Sequence, residues 1–204
     1  MNRVHPLPYL AVSLGVLSLL AAPATAFTQT FYGLSVGRNY FGPAPWGDSF
    51  THGLTAQACL GRQLGRGLSV RLDAFRSLFH ETETSGFHCD CSGVPPCCSL
   101  GKPVGVVGFA ANAMMNLGRP AGKVGLYVIA GAGAYHLYQA GANRVFPDNS
   151  GVQPDLSAGA GASVRVAKRS LLFVEARYTD LLGTSSSPYY RPGWLVPVTF
   201  GLRF

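Results

Sequence analysis

The chain has 204 residues, of which 48% are hydrophobic and only 12% charged, with a formal net charge of +7 and a positive mean hydropathy. Beyond the N-terminus no stretch reaches the eighteen or so uninterrupted apolar residues of a membrane-crossing helix; the best candidates, 104–115 and 124–138, are broken by Gly105, Gly108, Gly125, Gly131 and Gly133. Helical membrane spans are thereby excluded, which leaves a soluble domain or a sheet that crosses lipid with strands.

Residues 1–26 read as a secretory signal peptide. Arg3 and His5 form a short basic region, Leu10 to Leu20 an apolar core, and Ala24-Thr25-Ala26 a small-x-small cleavage pattern. The remaining 27–204 suit one domain. Eight segments then alternate or run apolar at strand length, at Thr30–Phe41, Gly53–Leu64, Leu68–Phe79, Val104–Leu117, Val124–Tyr138, Ser157–Ala167, Leu171–Leu182 and Trp194–Phe204. The connections between them alternate long and short. Gly65 to Gly67, Gly118 to Lys123 and Lys168 to Ser170 are tight turns, whereas the segments after Phe41, Phe79, Tyr138 and Leu182 are long. An even strand number puts both ends of the sheet on the short-turn side. Soluble sandwiches have no reason to keep every second turn short.

Side chains alternate across a strand, so each face can be assigned by parity. In the second segment Leu54, Ala56, Ala58 and Leu60 oppose Thr55, Gln57, Cys59 and Gly61. In the third, Leu68, Val70, Leu72 and Ala74 oppose Ser69, Arg71 and Asp73, and the sixth sets Ala160, Ala162, Val164 and Val166 against Gly161, Ser163 and Arg165. The seventh sets Leu172, Val174, Ala176 and Tyr178 against Glu175, Arg177 and Thr179. The last segment is the clearest: Trp194, Val196, Val198, Phe200, Leu202 and Phe204 form an apolar face behind Leu195, Pro197, Thr199, Gly201 and Arg203. The polar face thus collects Arg71, Asp73, Arg165, Glu175 and Arg177, a set expected to pair in the interior, with a narrow ion path as the alternative. Tyr32, Tyr40, Tyr127, Tyr135, Tyr178, Trp194 and Phe204 fall near strand ends, as in an interfacial aromatic girdle. The Gly-Ala run 129–134 lowers side-chain volume to leave room for bulky neighbours.

Basic residues Arg62, Arg66, Arg119, Lys123, Lys168 and Arg169 gather at the short turns, while the acids fall in the long connections, Asp155 among them, near a rim (Asp180) or on the inner face (Asp73 and Glu175). Cations ringing one end suit anionic phospholipid heads, and basic patches with interleaved aromatics, the mark of nucleic-acid binding, are absent. The second long connection carries His80, Glu81, Glu83, His88 and Asp90 with Cys89, Cys91, Cys97 and Cys98. In an oxidising compartment these four thiols are expected as disulfides, in one of three connectivities, with a metal site as the alternative. Cys59 is left over as a buried free thiol. Catalysis needs a nucleophile, a base and an orienter that meet. His136 is followed by Leu137 and Tyr138, with no serine in reach along its strand, and Ser163 and Glu175 lie on other strands, so no enzyme, cofactor or resident metal is expected.

Signal peptide, strand count, turn periodicity and the closing Val198-Thr199-Phe200-Gly201-Leu202-Arg203-Phe204 together resemble the small eight-stranded outer-membrane barrels of the OmpA/OmpX type. The resemblance implies an all-β, antiparallel up-and-down transmembrane barrel in the bacterial outer membrane, monomeric and in contact with its lipids. It also implies that Phe200, Leu202 and Phe204 are read by the barrel-insertion machinery. The function it implies is a structural or surface-contact role carried by extracellular loops, without catalysis. A lipid-modifying enzyme or a small pore stands as the alternative.

Overall fold

A computed structural model describes residues 29–41, 52–65, 67–79, 104–117, 124–139, 152–182 and 193–204. They form β1 (Thr30–Phe41), β2 (His52–Gln63), β3 (Leu68–Phe79), β4 (Val104–Asn116), β5 (Val124–Gln139), β6 (Gln153–Ala167), β7 (Ser170–Leu181) and β8 (Trp194–Arg203). Each strand pairs antiparallel with the next, and β8 returns to β1 from Gly33↔Arg203 to Phe41↔Leu195, so the sheet closes. Closure satisfies every edge, which a sheet immersed in hydrocarbon requires. The expected fold and strand number are those observed. Among the described residues no helix is long and apolar enough to cross a membrane, which has no bearing on crossing by strands.

Parity sorts the side chains as their chemistry demands. Leu34, Leu54 and Phe200 point outward and are 65%, 65% and 57% exposed, while Ser35, Thr55, Thr199 and Arg203 on the opposite faces are buried. A soluble barrel would show the reverse. At the terminal end the Tyr32 and Phe204 rings stack at 5.5 Å, and at the other end Tyr178 packs on Trp194 at 5.8 Å, outward at the two rims. Gly67 sits at φ 92° in the β2–β3 turn, where a side chain would be strained. The strand ends that the long connections join, from Phe41 and His52 round to Leu181 and Trp194, lie at the end of the barrel opposite Thr30 and Arg203. The expected signal peptide, residues 1–26, and the cysteine-rich stretch with Cys89, Cys91, Cys97 and Cys98 lie outside the described residues.

Three expectations are corrected. β6 begins at Gln153, four residues before the expected Ser157, because Pro154 pairs with Ala134 at the strand end where its missing N–H is tolerated. Asp155 is therefore a buried residue inside the barrel and not a loop acid. Tyr127 and Tyr135 also point inward and are buried, not part of a girdle; both faces of β5 are apolar, so composition could not fix its parity.

Candidate functional site

Among the described residues, buried polar and charged side chains gather in the barrel interior. In a ring of eight strands β3 and β7 stand opposite one another. Arg71 and Asp73 on β3 therefore face Glu175 and Arg177 on β7 across the lumen. Arg71 donates from Nη1 and Nη2 to Glu175 Oε2 and Oε1 at 2.9 and 2.7 Å, a bidentate fork. Its Nε lies 3.0 Å from Asp73 Oδ1. Arg177 donates from Nη2 to Asp73 Oδ2 at 2.6 Å and from Nε to Glu175 Oε1. Two cations and two anions thus form a neutral ring across the barrel, with all four residues buried.

Neutral donors complete it. Asn112 Nδ2 donates to Asp73 Oδ2 at 2.8 Å and the Tyr127 hydroxyl to Glu175 Oε2 at 2.9 Å. Neither was singled out as a partner from sequence. The available signal was Asn112 itself, an amide in the middle of an apolar strand. Glycines make the space: a Cβ at Gly161 would lie 2.3 Å from Tyr127 Cζ, and one at Gly131 would lie 2.3 Å from Asn112 Oδ1. The space for Tyr127 comes from Gly161 on β6, and within the 129–134 run Gly131 and Gly133 lie against the backbone of β4 with Asn112 and Ala110. Gly161→Ala should displace the Tyr127 ring and cost about 1–3 kcal/mol by overpacking, read as an earlier denaturant midpoint in lipid vesicles.

Two further layers lie above and below. Towards the long connections Phe79, Val106, Tyr135, Leu181 and Leu195 form an apolar cluster with Phe75. In the same half Asn39 donates to Ser77 Oγ and Ser77 to Thr55 Oγ1, both at 2.9 Å. Towards the termini Met114, Tyr127 and Ile129 cluster with Phe31. There the Arg203 guanidinium stands 4.9, 5.4 and 5.2 Å from the ring centres of Phe31, Tyr127 and Phe173. A cation held by three π-faces ties the last strand to β1, β5 and β7.

Arg165 departs from the expected interior set. It is exposed beside the β6–β7 turn, where the register shifts between Arg165 and Ala167, and its Nη1 donates to Lys168 O at 3.4 Å. Parity points it inward, but it stands at the end of the strand, where the side chain is exposed. Cys59 is a buried free thiol on the inner face, beside Asp73 in register. Phe200, Leu202 and Phe204 are exposed on the outward face. His136 is half-buried on the outward face, paired with Val107, far from Glu175 in register. Among the described residues no group of three or more His, Cys, Asp or Glu is placed to hold a metal ion.

No protein-family model matches the sequence, and no curated protein matches it. Solved structures match its fold. Neisserial surface protein A superposes with a TM-score of 0.61 at 12% identity, over 87% of this chain and 98% of that one. A major outer-membrane protein of Thermus thermophilus gives 0.54 at 11%, over 86% and 99%. The outer-membrane protein OprG of Pseudomonas aeruginosa gives 0.51 at 10%, over 88% and 98%. At such identities the likeness is one of fold: this chain has the architecture of the small eight-stranded outer-membrane barrels.

Proposed function

We propose that the protein is a non-enzymatic outer-membrane barrel with a sealed interior, whose work is done at the surface by the long connections between strands. The observation that carries this reading is the inversion of the barrel: charges paired inside, large apolar side chains outside. An apolar outer wall this continuous is an aggregation surface in water and an ordinary wall in lipid. The ion-paired ring, with a side-chain cluster above and below it, supports a plug rather than a path, since eight strands leave room for little besides side chains.

Function then falls to the connections of β1–β2, β3–β4, β5–β6 and β7–β8, which join the strand ends away from Thr30 and Arg203. Loops on a rigid scaffold are where contact residues gather. Structural contact within the envelope and adhesion to an outside partner are both served by this arrangement. Insertion through the terminal Phe200, Leu202 and Phe204 and a monomeric state belong to the same reading.

Planar-bilayer recording of the purified chain tests the sealed interior. The expected result is no sustained channel steps, in the wild type or in Arg177→Ala. Steady porin-like conductance that changes with Arg177→Ala would replace this reading with the pore.

A further inference from the structure

The outer wall has a feature that the sealed barrel does not use. A groove of about 460 Å³ opens on the outward face over β1, β2, β3 and β8. Val36, Leu54, Leu78 and Phe200 line it, and Arg38 and Arg76 stand on it. Its origin is a small residue among large ones: along one register row Phe200, Val36, Ala56 and Arg76 are neighbours, and Ala56 leaves the floor low. Arg38 pairs in register with Leu54, one strand over from Arg76 and two residues up from Ala56. Strand spacing puts the two arginine Cα atoms roughly 12 Å apart across the floor.

Cations on a lipid-facing wall need a counter-charge, because their cost climbs steeply away from the headgroup level. No acidic side chain lines the groove. Arg38 is exposed and makes no hydrogen bond or ion pair among the described residues. Arg76 is steadied from one side, its Nε donating to the Tyr138 hydroxyl at 2.8 Å with the guanidinium 5.7 Å over that ring. Both residues lie three positions before the ends of their strands, Phe41 and Phe79, at the end of the long connections.

We propose that this groove is a binding site for a phosphate-bearing, acylated membrane lipid of the leaflet nearest the long connections. Its acyl chain lies along Val36, Ala56, Leu78 and Phe200, and Arg38 and Arg76 hold its phosphate. The proposal rests on the membrane reading above. A polybasic turn would attract any anionic surface, whereas two arginines over an apolar channel select an anion with a chain attached.

The test is native mass spectrometry of the full chain in mild detergent, with a bis-phosphorylated multi-acyl glucosamine lipid and with the same lipid stripped of phosphate. The wild type should hold the phosphorylated lipid about tenfold or more tighter than the stripped one, the worth of one or two charge-assisted hydrogen bonds. Arg38→Gln with Arg76→Gln should lose that margin. Ala56→Phe, which fills the floor and keeps both cations, should lose the lipid too, while Lys168→Gln at the far turn should bind as wild type. Heat-shifted gel mobility confirms that each variant is folded. Equal binding of both lipids, wild-type binding by the double variant, or an equal loss in Lys168→Gln would overturn the site. None of these outcomes touches the barrel's place in the membrane, which fractionation reads separately.

Discussion

Replacing Arg71 with methionine should destabilise the folded barrel by about 3–5 kcal/mol, because it removes one of the two cations that bridge both acids of the ring. In Arg71→Met, Asp73 and Glu175 are left with Arg177 alone, a net negative charge buried in the lumen. The bidentate fork to Glu175 goes at the same time. Adding Glu175→Gln restores neutrality, leaving Asp73 with Arg177. The double variant should therefore lose less than the two single variants summed, with a coupling of about 1–3 kcal/mol. Denaturant unfolding in lipid vesicles, followed by heat-shifted gel mobility, measures all three. Additive losses would show that the four side chains do not act as a unit.

Placing a charge on the outer wall should be the second large effect. Leu34→Arg should cost about 2–4 kcal/mol if the side chain meets hydrocarbon near mid-depth. In water the same change at a residue 65% exposed would fall within about 0.5 kcal/mol. Val166→Arg, exposed on the same outward face but beside the β6–β7 turn, should cost only about 0–1 kcal/mol. The two substitutions are chemically alike and differ in depth. A flat response to depth would count against a bilayer around the barrel.

How far the fold was legible depends on the strand. β8 announces itself because one face is wholly apolar and the other carries Thr199, Gly201 and Arg203, so its parity has one solution. β2, β3 and β7 are legible for the same reason. β5 is apolar on both faces, and period-two reasoning cannot say which way Tyr127 and Tyr135 turn; the register with β4 and β6 decides it. The start of β6 was hidden by Pro154 and Asp155, residues that ordinarily break strands and here sit where a strand ends.

The interior site was half legible. Arg71, Asp73, Glu175 and Arg177 could be put on the inner face by parity, but Arg71 and Glu175 are 104 residues apart in sequence. Their contact follows only once the sheet is known to close with β3 opposite β7. Arg165 has the right parity and the wrong height, which alternation alone does not encode. The outer groove left the least trace, since it depends on Ala56 being small beside Val36 and Arg76 on neighbouring strands.

The barrel's inverted wall, apolar towards its surroundings, is tested most directly by separating the membranes of cells that express the chain. Density-gradient fractionation with a urea wash should find the protein in the dense outer-membrane fraction, resistant to extraction and shifted on gels by heating. Recovery as a soluble periplasmic protein, with no change in mobility on heating, would contradict the account.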